Sequence, residues 1–157
     1  MSRMHRNWAT HLLLFLLGSC VHTTPIEGAW LSNRELTLAE IRSARNLTPQ
    51  QLQKLSDPGF FGHMVHVYRG NRMLTVFDGE CSEPVSFEIL DSDKRSVTIR
   101  YFDEQAGAER DLLLDVGDNK LYVPFSIADS DLREVFRQVP LEAISNRHPC
   151  IREFTGE

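Results

Sequence analysis

Apolar and polar residues alternate along much of the chain between residues 63 and 127. Val85, Phe87 and Ile89 face one way, with Ser86 and Glu88 opposite. Val97, Ile99 and Tyr101 repeat this against Thr98 and Arg100. Leu112, Leu114 and Val116 form the next run, and Leu121, Val123, Phe125 and Ile127 another. A period of two belongs to a strand with one buried face. His63 to Arg69 alternates more loosely, and Arg72 to Asp78 is its partner across a Gly70-Asn71 turn. Turn-forming residues separate the runs at Gly79-Glu80, Asp91–Lys94, Glu104–Ala108 and Gly117–Asn119. Strands thus recur about every 12 residues. Short turns make neighbours antiparallel, and a long meander hides its edges by curling into a barrel. Pro124 lies on the outward side of its run, which suits an edge or a bulge.

Two other periods frame this meander. Gly28-Ala29-Trp30-Leu31 is a short apolar segment that reads as a first strand. Leu36, Ala39, Ile41 and Ala44 then follow a helical spacing across 34–45. Thr48-Pro49-Gln50-Gln51 has the form of a helix start, with Thr as cap, Pro at the first helical position and Gln three after the cap. Leu47 can staple to Leu52, and the helix ends at Asp57-Pro58-Gly59. Residues 129–139 fit either period. Leu132, Val135, Phe136 and Val139 make a helical stripe, which local pattern prefers. A closing strand is nevertheless expected, because a meander needs closure.

The N-terminus carries an address. Arg3 and Arg6 precede an unbroken apolar run from Leu12 to Leu17, followed by Gly18 and Ser19. This is the layout of a secretory signal peptide, and the run is too short to span a bilayer. Leu17-Gly18-Ser19-Cys20 resembles the bacterial lipobox. That resemblance implies cleavage before Cys20, acylation of its sulfur with palmitate-type chains, and a chain anchored in the cell envelope. An ordinary signal peptide with a chance cysteine is the alternative. Val21, where an inner-membrane retention signal places Asp, points by the same resemblance to an outer-membrane anchor facing the periplasm. Residues 1–19 are then signal, 20–27 lipidated cysteine and tether, 28–139 the barrel domain, and 140–157 a C-terminal extension.

Composition narrows the function. The 157 residues suit one domain, and 41% hydrophobic with 25% charged residues is ordinary globular usage. Net charge is −5, and removal of Arg3 and Arg6 from the 17 basic residues leaves 15 against 22 acids, a charge of −7. An acidic balance argues against nucleic-acid binding. Cys81 and Cys150 remain besides Cys20, and in an oxidising periplasm an isolated pair reads as a disulfide. Two free thiols or a metal site with histidine partners are the alternatives. His63 and His66, three apart in a strand, point to opposite faces.

Gly28-Ala29-Trp30 opening a run of hairpins resembles the G-x-W strand of the calycin superfamily, which includes the lipocalins and intracellular fatty-acid-binding proteins. The order of G-x-W strand, two short helices and hairpins is also similar. The resemblance implies an all-β, up-and-down antiparallel, lipocalin-like barrel with two short helices after the first strand, acting as a lid. Residues 133–137 (REVFR) resemble the closing strand of such barrels. By that likeness Arg133 would pack on Trp30 and seal the barrel base.

The chemistry-bearing residues are few. The pairs Asp91/Asp93, Asp115/Asp118 and Asp129/Asp131 fall at turns, where Asp bonds its own backbone. None sits in a calcium-loop pattern. There is no G-x-S-x-G elbow, no Ser/His/Asp set and no phosphate-cradling glycine loop, so no enzyme, metal or cofactor is expected. Phe87, Tyr101, Phe125, Phe136, Met64, Met73 and Trp30 could line a cavity or fill a core, since barrels of about eight strands do either. Phe60, Phe61, Met64, Phe87 and Tyr101 are the candidate contacts of a small apolar ligand. The alternative is a packed barrel that docks an envelope protein.

Overall fold

The computed structural model describes residues 24–44, 47–127 and 130–156. The signal segment and Cys20 lie outside the described residues. Among the described residues, nine strands and four short helices follow in the order β1 (Gly28–Ser32), α1 (Arg34–Ser43), α2 (Pro49–Leu55), β2 (Met64–Arg69), β3 (Arg72–Phe77), β4 (Glu80–Cys81), β5 (Val85–Ser92), β6 (Ser96–Asp103), β7 (Ala108–Gly117), β8 (Lys120–Ile127), β9 (Ser130–Val139), α3 (Leu141–Ser145) and α4 (Pro149–Thr155).

Eight of these strands close an antiparallel barrel. The ladder runs β2-β1-β9-β8-β7-β6-β5-β3, and β3 pairs back onto β2. The two-residue β4 adds to β3 beside β5 through Val76↔Cys81 and Phe77↔Glu80. This architecture is consistent with a lipocalin-like fold. Residues 130–139 form the closing strand, pairing with β8 along Lys120–Ile127 and with β1 along Ala29–Ser32. The helical stripe read there is overridden by two ladders that would otherwise end in unpaired backbone. Where β9 runs past β1, α1 takes over the hydrogen bonding. The buried Thr37 hydroxyl accepts from Val135 N at 2.9 Å, and Asn33 N donates to Val135 O at 2.8 Å.

Local sequence accounts for the connections. Asp118 and Asn119 both have positive φ (50° and 58°), the geometry of a two-residue β-hairpin turn that matches strand twist. Thr48 and Gln51 bond reciprocally as a capping box on α2. Asp93 Oδ1 accepts from Arg95 N and Ser96 N, and Asp103 Oδ1 from Gln105 N and Ala106 N. Pro124 pairs with Arg133 on the β9 side. On its other side the β7–β8 ladder has already ended at Tyr122, so no hydrogen bond is lost to the missing N–H.

Three apolar clusters organise the packing. The first fills the barrel with Ile26, Trp30, Tyr68, Phe87, Val97, Ile99, Leu114, Leu121 and Phe136. The second lies outside it, where Ile144, Ile151 and Phe154 of α3 and α4 cover Ala29, Val65, Val67, Leu74 and Val76. That cover explains the loose alternation of β2, whose both faces are buried. Cys81 and Cys150, with Cα atoms 6.6 Å apart, form the disulfide that ties α4 to β4. The third cluster joins the helices to the barrel through Leu38, Ile41, Leu55, Phe61 and Leu132.

Candidate functional site

The two ends of the barrel differ. At the end where β1 starts, residues 24–27 fold across the opening. Ile26 is fully buried, Trp30 Nε1 donates to its carbonyl at 2.7 Å, and Gly70 N donates to Glu27 Oε2 at 3.0 Å. This end is sealed. The other end carries α1, α2, the loop 57–63 and the turns 78–79 and 104–107, and forms the mouth.

Strand register assigns the inner wall. Met64, His66 and Tyr68 of β2 lie opposite Phe77, Thr75 and Met73 of β3. Met73 in turn pairs with Val85, and Phe87 with Tyr101. Of the inward residues, Tyr68, Phe87, Ile99, Leu114 and Phe136 are buried, with Ile89, Leu112 and Val116 half-buried against them. On β2, β3, β5 and β6, however, Met64, Met73, Thr75, Val85 and Tyr101 stay partly exposed, and the inward-pointing Phe77 is 47% exposed. An open groove of about 610 Å³ runs beside this wall, between residues 82–86 and 101–105.

The five candidate ligand contacts divide accordingly. Met64 and Tyr101 belong to the partly open wall, and Phe60 stands 47% exposed on the loop that leads into β2. Phe61 is buried under the helices, its ring 5.7 Å from that of Phe125. Phe87 is buried in the barrel core, 6.1 Å from the Tyr68 ring. Sequence reasoning missed Phe77, Val85 and Thr75. The signal was present in strand parity, because Met73, Thr75 and Phe77 share one face of β3 and Val85 shares one face of β5 with Phe87.

The expected seal of Arg133 over Trp30 is corrected. The guanidinium lies 4.9 Å from the centre of the Tyr122 ring and pairs with Glu40 of α1 and, at 3.2 Å, with Asp115. Register gives the reason: Arg133 alternates with the inward Leu132 and Glu134, so it points outward to the lid helix. Trp30 is instead enclosed by apolar side chains.

Among the ionisable groups that point inward are His66, Glu134 and Tyr68. His66 Nδ1 lies 3.0 Å from Thr75 Oγ1, and its ring centre is 4.9 Å from that of Phe136. Burial pushes its pKa down to about 4, so the imidazole is neutral. Glu134 Oε1 accepts from the Ser32 hydroxyl, which itself accepts from Gly62 N at 2.9 Å. Burial raises the Glu134 carboxyl above its ordinary value, the Ser32 bond only partly opposing this. Burial also raises the Tyr68 phenol, helped by Tyr101. His63, on the opposite face from His66, bonds Asp78 at 3.0 Å. Among the described residues, no three His, Cys, Asp or Glu side chains are grouped to hold a metal.

Comparison with family models, with curated proteins and with solved structures gives no match.

Proposed function

We propose that this chain is a lipid-anchored protein of the bacterial envelope whose barrel holds a small apolar ligand at its mouth. The observation that carries the reading is the unevenly filled inner wall. A buried core fills the barrel, whereas Met64, Met73, Phe77, Val85 and Tyr101 present partly exposed apolar surface on β2, β3, β5 and β6. Concave, mostly apolar sites with a few polar groups are what small-molecule ligands occupy. Here Thr75 and Tyr101 would supply the polar contacts. Anchoring rests on Cys20 and its lipobox-like context, and outer-membrane placement facing the periplasm on Val21.

Native mass spectrometry of the mature chain, followed by solvent extraction, tests the ligand. A stoichiometric apolar molecule is expected, with retention reduced in Met64→Ala and Tyr101→Ala. A clean mass that stays unchanged after incubation with envelope lipids would refute it. The buried cluster filling the barrel favours the second reading in that case, a packed barrel that docks an envelope protein partner. Anchoring is tested separately: Cys20→Ala is expected to leave the membrane fraction and lose palmitate labelling. Wild-type protein that is already soluble and unlabelled would overturn the anchor.

A further inference from the structure

Charge is divided between the two ends of the barrel. The mouth segments 57–63, 78–84 and 103–110 contain seven acids (Asp57, Asp78, Glu80, Glu83, Asp103, Glu104 and Glu109) against one base, Arg110, and the helices α1 and α2 at the same end add Glu35 and Glu40 against Arg34, Arg42 and Lys54. The sealed-end segments 24–28, 69–72, 91–95, 117–120 and 137–139 contain six bases (Arg69, Arg72, Lys94, Arg95, Lys120 and Arg137) against four acids. Three of those four carboxylates are turned onto backbone amides: Glu27 accepts from Gly70 N, Asp91 from Ser92 N, and Asp93 from Arg95 N and Ser96 N. Arg72 stacks on Phe154. Among the described residues the other five bases make no ion pair. All but the partly exposed Lys120 are exposed. An acidic chain therefore presents one locally basic end.

The chain also enters the fold at that end. The described structure begins at Thr24, and residues 24–27 are packed against Trp30 and the β2–β3 turn. Cys20 lies four residues earlier, within about 14 Å even of a fully extended chain.

We propose that the sealed end of the barrel is a docking face for an anionic bilayer, and that docking turns the acidic mouth away from that membrane. Basic clusters within a Debye length of an anionic leaflet are attracted to it, and clustered carboxylates are repelled. Any ligand would then be exchanged with the aqueous side rather than drawn laterally from the docked leaflet. The inference concerns the end opposite the ligand site and stands whether or not a ligand is held.

Residues 20–157 retain every element of the fold, and Cys20→Ser removes acylation, so this chain reads docking by itself. Binding to vesicles of phosphatidylcholine with one-third phosphatidylglycerol is measured against phosphatidylcholine alone, with fluorophores at Asn71→Cys or Gln105→Cys and brominated lipids as quenchers. The expected result is binding to the anionic vesicles only, lost in high salt, with quenching at 71 and not at 105. Reversal of three charges (Lys94→Glu, Arg95→Glu, Lys120→Glu) should weaken it on the order of tenfold or more. The thermal midpoint of that variant, which changes two exposed turn residues and the partly exposed Lys120 at the start of β8, is expected to stay near wild type. Equal binding to both vesicles, quenching at 105 instead of 71, or indifference to the charge reversal would each overturn the proposal. A failed ligand search would leave all of these readouts unaltered.

Discussion

His66 makes the barrel interior sensitive to acid in a way that can be calculated. Its imidazole is buried between Thr75, Tyr68 and Phe136, and among the described residues no carboxylate lies within ion-pair distance of it. Burial lowers its pKa from 6.5 to about 4. A depressed folded-state pKa contributes stability that is fully present above 6.5 and is lost as pH falls through the folded value. At about 1.4 kcal/mol per unit, the whole effect is about 3 kcal/mol, most of it gone by pH 4.5. Glu134 acts with the opposite sign. Its raised pKa favours the folded state when the carboxyl is protonated, a contribution that fades as pH rises. The decisive quantity is therefore the difference between wild type and His66→Gln, in which Glu134 and the surface carboxylates cancel. Gln keeps a hydrogen-bonding group toward Thr75 and cannot titrate. Urea unfolding of both proteins at pH 7.5, 6 and 4.5 is the assay. The stability advantage of wild type over the variant should shrink by about 2–3 kcal/mol across that range. A difference that is constant with pH would refute the buried, neutral imidazole.

Three further predictions follow from the packing. Replacing both Cys81 and Cys150 by Ser opens a loop spanning a 69-residue separation and should cost about 4 kcal/mol in denaturant unfolding. A loss below about 1 kcal/mol would mean that the bond constrains little. Phe154→Ala removes the ring that covers the outer face of β2 and β3 beside Arg72 and should cost about 3 kcal/mol. An unchanged thermal midpoint would show that α4 does not dock there in solution. Thr48→Ala deletes the α2 capping box and should cost about 1 kcal/mol. Thr48→Ser should restore it, and equal stability of Ala and Ser variants would refute the cap.

Much of the mouth was already implicit in strand parity. Met64 and Tyr101 were legible because each lies on the apolar face of an alternating run, and Phe60 because it follows Pro58-Gly59 at the end of α2. Phe61 and Phe87 have the same sequence character but are absorbed by packing, one beneath the lid helices and one in the core. An apolar residue on the inner face looks the same in sequence whether a neighbour or a void lies opposite. Only the closed set of strands distinguishes them.

The local chemistry of this chain determines its turns, its α2 cap and the antiparallel meander. These depend on interactions within a few residues or on a period of two, which a sequence displays directly. Tertiary structure alone decided the rest. Residues 130–139 are a strand because β1 and β8 both need a partner, against their own helical stripe. Residues 141–155 form two helices because the outer faces of β1–β3 are apolar and require cover. Arg133 meets Tyr122 and Glu40 instead of Trp30 because register points it outward. The separation of acidic mouth from basic sealed end likewise arises only when loops distant in sequence are gathered at one end of the barrel.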